Sequence, residues 1–110
     1  MAKQKLVLAA SPTFKAQVGI PVPGVKDTIP VEFTFRHRTR SDLKAWREGI
    51  DFDAITSSTI LDAAVAWDLD DPFDDEHVNK MLEVFPGSGL AVLFRYLQEM
   101  QDARLGNSVR

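Results

Sequence analysis

The chain contains no cysteine. Disulfide staples, thiolate metal centres and a cysteine nucleophile are therefore excluded together. Histidine is nearly as scarce. The two copies are His37 and His77, and neither sits in a pattern such as HExxH or GxSxG that would mark a metalloprotease or a hydrolase. Long apolar runs are missing too. The stretch Leu6-Val7-Leu8-Ala9-Ala10 follows two lysines, but it falls short of the roughly 7–15 residues of a signal-peptide core. No segment approaches the roughly 18 apolar residues of a membrane span. No phosphate-binding loop is present either, because Pro86-Gly87-Ser88-Gly89 lacks both the following lysine and the preceding strand. A surplus of positive charge is also absent: 13 Lys and Arg face 16 Asp and Glu, for a net charge of −3. Such a surface repels phosphate backbones, so nucleic-acid binding is not expected.

What is present suits one folded domain of 110 residues, 45% of them hydrophobic and 26% charged, with no room for a second core. The first half alternates with a period of two. Phe14, Ala16, Val18 and Ile20 fall on one side of an extended chain, and Ile29, Val31, Phe33 and Phe35 repeat the pattern. Between them, Pro21-Val22-Pro23-Gly24 interrupts regular pairing. The spacing predicts an antiparallel hairpin over about 13–20 and 28–38, with one buried face. Pro30 stands near the start of the second strand, where a missing N–H is tolerable at an edge.

The period then changes. Thr39-Arg40-Ser41-Asp42 has the form of a capping box, followed by Leu43, Trp46 and Ile50 at helical spacing, with Gly49 as a stop. A second helix is expected from about Asp53 or Thr59 to Trp67, with Ile60, Ala64 and Trp67 on one face. Asp74, Asp75 and Glu76 suit the start of a third helix, where carboxylates meet the positive end of the dipole. That helix carries Val78, Met81, Leu82 and Phe85. A fourth carries Leu90, Leu93, Phe94, Leu97 and Met100 and ends near Leu105-Gly106-Asn107. Strands followed by helices define an α+β domain, in which about four C-terminal helices must cover the hairpin's apolar face. The expected boundaries are a flexible arm over 1–12, the domain over 13–105 and a frayed tail over 106–110.

Candidate sites are few. His77 and Asp74 have i, i+3 spacing, as two ligands of a metal would, but the remaining ligands are missing. Aligned on a calcium-binding loop beginning at Asp68 and Asp70, the chain places Pro72 at the third ligand position. Phe73 then stands where glycine is required and Asn79 where glutamate is. Neither a metal nor any other cofactor is expected. Arg36, Arg38 and Arg40 alternate along the end of the second strand and form a basic face if that strand runs on, yet no aromatic platform stands beside them. No catalytic constellation emerges, and a binding or structural domain is as far as the residues themselves reach.

Several stretches together carry a family resemblance. They are Ser11-Pro12-Thr13-Phe14-Lys15 leading into Pro21-Val22-Pro23-Gly24; Val31-Glu32-Phe33-Thr34-Phe35-Arg36-His37-Arg38-Thr39-Arg40 with its Leu43/Trp46 helix; Ala66-Trp67-Asp68-Leu69 with Phe73; and the last helix through Tyr96 to Asn107. In this order the chain resembles the tail assembly chaperones encoded beside the tape measure protein in long-tailed phages and prophages. The resemblance implies a non-enzymatic protein of the host bacterial cytoplasm. It would bind the tape measure protein, keep it soluble and help recruit tail tube protein, and it is expected to be a homo-oligomer with no membrane partner. Such families are often made in two lengths by a ribosomal frameshift, and this chain resembles the shorter form. The alternatives are a structural tail or head–tail component retained in the virion, and a small nucleic-acid-binding regulator. The expected partner-binding residues are Trp67, Asp70, Asp71 and Phe73, an acidic loop bracketed by aromatics, with Phe94 and Leu97 of the last helix. On this reading Phe73→Ala weakens binding with little loss of fold.

Overall fold

In the computed structural model, which describes Leu8 and residues 12–102, two strands open the fold. β1 (Thr13–Ile20) pairs antiparallel with β2 (Ile29–Arg36), Thr13 opposite Arg36 and Ile20 opposite Ile29. The alternation falls as the spacing predicts over most of both strands: Ala16, Val18, Ile20, Val31, Phe33 and Phe35 are buried and Phe14 half-buried, whereas Ile29 at the turn end is exposed. Between the strands, the Val25 N–H donates to the Val22 carbonyl at 3.0 Å, closing a tight turn with Pro23 and Gly24 at its centre. Gly24 has φ of +84°, the value a type II turn requires at its third residue and one that a side chain would oppose.

Four helices follow. α1 (Arg40–Glu48) begins where Thr39 Oγ1 accepts the Asp42 N–H and stops at Gly49. α2 (Ser57–Ala63) is capped by Thr56, α3 (Asp75–Val84) by Asp74, and α4 (Ser88–Leu97) follows the Pro86-Gly87 turn and passes into a π-helical turn over Gln98–Asp102. The α+β class therefore holds.

The structure corrects the extent of the second helix. It ends at Ala63, and β3 (Ala64–Trp67) joins the sheet beside β2, giving the order β1-β2-β3. Phe33 faces Trp67 and Phe35 faces Ala64, with an irregularity between Thr34 and Phe35. Asp68 extends this ladder. Its N–H donates to the Glu32 carbonyl at 3.0 Å, and its carboxylate accepts the Glu32 N–H at 3.0 Å. Since the N–H of Glu32 points toward β3, Pro30 two residues earlier points the same way, past the end of β3. The missing proline donor lies where no strand of the described residues pairs.

Two further boundaries differ. β2 stops at Arg36, so the basic strand face expected of Arg36, Arg38 and Arg40 does not form; Arg40 instead opens α1. The buried stripe of α4 is also rotated. Val92, Leu93, Tyr96 and Leu97 are buried, whereas Leu90 and Phe94 are exposed. The core lies between the sheet and α4, with Ile60, Ala63, Val78 and Met81 of α2 and α3 closing one end. The expected arm over 1–12 and tail over 106–110 lie outside the described residues, apart from Leu8 and Pro12.

Candidate protein-interaction surface

The six residues expected to meet a partner fall in two places. Trp67, Asp70, Asp71 and Phe73 lie in and beside the loop between β3 and α3. Trp67 and Phe73 are half-buried and meet edge to face at 5.0 Å, and both pack against Phe33. The Trp67 Nε1–H donates to the Asp71 carbonyl at 2.7 Å, which draws the loop closed. Asp70 and Asp71 remain exposed at its tip. Phe73 is thus an anchor of the loop, and its truncation removes core-edge packing as well as surface.

Phe94 stands apart. It is 56% exposed on α4 and stacks on Phe52 with ring centroids 6.0 Å apart. Leu90, one turn earlier, is also exposed, while Leu97 one turn later lies in the core. Only Phe94 of that pair offers surface to a partner in this conformation. The depression of about 160 Å³ beside Trp67 and the one of about 580 Å³ beside Phe94 share no lining residue.

A further depression, about 770 Å³, was missed by sequence reasoning. It runs between α1 and the C-terminal turn, lined by Arg40, Leu43, Lys44 and Arg47 on one side and by Met100 and Gln101 on the other, with Phe52 also on its lining. The signal was available, because Arg40, Lys44 and Arg47 are spaced i, i+4, i+7 once α1 is placed. Weighing Arg40 with Arg36 and Arg38 as a basic strand face hid it. Arg38, at one end, is committed to the fold. Its guanidinium lies 4.4 Å over the Trp46 ring, and Nη1 donates to the Tyr96 hydroxyl at 3.0 Å.

His77 and Asp74, spaced as metal ligands, have a local role. Asp74 Oδ1 accepts the His77 N–H at 2.9 Å and lies 2.7 Å from the ring Nδ1. The backbone bond first, then the ring, holds the Asp74 carboxyl below its usual range. The bond to Asp74 raises His77 above its ordinary value. Among the described residues, no group of three or more His, Asp or Glu is arranged to hold a metal ion, and no helix is long and apolar enough to cross a membrane.

Among the described residues, a three-stranded sheet and four helices, with a clipped aromatic loop and open depressions along α1 and α4, define a small α+β protein. Residues 1–107 match the sequence model of a family described as phage tail assembly chaperone, and the chain belongs to that family. No curated protein and no solved structure matches it.

Proposed function

We propose that this tail assembly chaperone binds the tape measure protein, keeps it soluble before the tube encloses it, and helps recruit tail tube subunits. The observation that carries this is the family match over residues 1–107, nearly the whole chain. The surfaces are consistent with it. A long helical client offers repeated apolar stripes, and a chaperone must meet them with accessible apolar groups that do not melt its own core. Leu90 and Phe94 are of that kind, exposed on a helix whose opposite face is fully packed. Work of this type needs no reacting group and no cofactor, and the client contacts are made by several copies of the chain in the host cytoplasm.

Co-expression with the tape measure protein of the same phage or prophage tests this reading. The expected result is a tape measure protein that moves from the pellet to the soluble fraction and co-purifies with this chain. A tape measure protein that stays insoluble, with this chain recovered from purified virions, overturns it in favour of a structural tail component.

A further inference from the structure

On a chain with a net charge of −3, the groove beside α1 gathers positive charge. Arg40, Lys44 and Arg47 share one face of α1 with Leu43, and all three cations are exposed. Among the described residues none of them belongs to an ion pair, and Arg47 Nη1 donates only to the neutral Gln101 Oε1 across the trough, at 3.4 Å. Glu48 is the one carboxylate on the lining. Like charges at i, i+4 weigh against a helix, so Arg40 and Lys44 stand together at a cost that an anionic neighbour would relieve. Between the cations and the C-terminal turn the surface is apolar, from the half-buried Phe52 and Met100, with Leu43 buried beneath them. The neighbouring depression shares Arg47 and Phe52 and carries the trough on past Phe94.

We propose that this trough binds an amphipathic helix of a partner protein whose apolar stripe is flanked by carboxylates. The apolar stripe would lie on Phe52 and Met100, the carboxylates against Arg40, Lys44 and Arg47. Arginine favours such pairing because its planar fork matches a carboxylate. This rests on the reading that the chain holds a helical client, and it names the chemistry of the client segment. The chain's own ends do not fit. Residues 1–11 carry Lys3 and Lys5, residues 103–110 carry Arg104 and Arg110, and neither stretch contains an acid. A phosphate backbone fits less well than a helix, since the whole chain is net negative and the trough is floored by aliphatic as well as aromatic carbon.

The test uses the full chain and two synthetic helical peptides with the same leucine stripe, one flanked by glutamates and the other by lysines. Fluorescence anisotropy reads binding at low and high salt. The glutamate peptide binds, salt weakens it, and K44E/R47E loses about tenfold in affinity, as the loss of two charge pairs would give. K44E/R47E, folded by circular dichroism, then prefers the lysine peptide. Equal binding of the two peptides, or no change in K44E/R47E, overturns the proposal. So does tighter binding of a single-stranded oligonucleotide, which makes the trough a nucleic-acid site. Self-association that K44E/R47E abolishes gives it to a second copy, and a monomeric chain that binds neither peptide has it covered by its own segment. Both outcomes overturn the proposal. In co-expression, a tape measure protein kept soluble equally well by K44E/R47E removes the trough and leaves the chaperone reading. Glutamate-peptide binding by a chain that fails to solubilise the tape measure protein does the reverse.

Discussion

The hydroxyl of Tyr96 donates to the carbonyl of Arg36 at 2.8 Å, across 60 residues of sequence. The bond pins α4 to the last residue of β2, and the same oxygen accepts from Arg38 at 3.0 Å. The ring is fully buried, 5.2 Å from Phe35 and 5.3 Å from Trp46. One side chain thus joins the sheet, α1 and α4.

Tyr96→Phe keeps the ring and deletes that junction. A part-buried carbonyl and a guanidinium each lose a partner, so stability falls by about 1–2 kcal/mol. Urea denaturation checks this through a lower midpoint with an unchanged slope.

Phe94→Ala and Phe73→Ala separate surface from support. Phe94 is mostly exposed, so its truncation costs under about 1 kcal/mol while reducing co-purification of the tape measure protein. Phe73 packs on Phe33 and Trp67. Its truncation costs about 1–3 kcal/mol, below a full core deletion because the ring is only half-buried. Thermal melts of the two variants, set beside pull-down yields, give the comparison.

Ala66→Pro tests the third strand. The Asp68 N–H donates to the Glu32 carbonyl and the Asp68 carboxylate accepts the Glu32 N–H, and Ala66 faces Thr34 two residues earlier in the same register. The Ala66 N–H therefore points into the ladder. Proline removes it and strands a carbonyl on Thr34, at about 1–3 kcal/mol. Hydrogen exchange on the parent chain should show protected amides at Ala66 and Asp68.

The Asp74–His77 pair gives a pH dependence with a worked sign. His77 titrates above its ordinary value of 6.5, so its contribution is complete below that value and is lost as pH rises through the higher folded one. Asp74 titrates below its ordinary value of 3.8; its contribution is present above that value and disappears as pH falls through the lower folded one. The pair is therefore fully effective between the ordinary carboxylate and imidazole ranges. Asp74→Asn retains a good helix cap but moves the His77 midpoint back toward 6.5. NMR titration of the imidazole reads it directly.

Local chemistry made much of this fold legible. Thr39, Gly49 and Asp74 cap the helices as their types require, and the two alternating runs bury the face they present except at Ile29. Ala64-Val65-Ala66-Trp67 was harder, because Ile60, Ala64 and Trp67 have helical spacing. Pairing with β2 and the bonds of Asp68 decide its conformation, and both are tertiary. In α4 the apolar run Leu90-Ala91-Val92-Leu93-Phe94 makes a stripe too wide to tell which flank is buried. The aromatic bed under Tyr96, built by Phe14, Phe35 and Trp46, sets the rotation. The interaction surface was least legible of all. Trp67 and Phe73 look like exposed anchors in sequence, yet they brace each other, and the cations of α1 had to be placed on a helix before they lined anything.

The proposed role of this chain is to hold the tape measure protein in solution. Its most direct measurement is size-exclusion chromatography with light scattering on the two proteins expressed together. The expected result is one soluble species whose mass equals a tape measure protein carrying several copies of this chain. A soluble tape measure protein that elutes free of this chain, or one that aggregates in its presence, would contradict the claim.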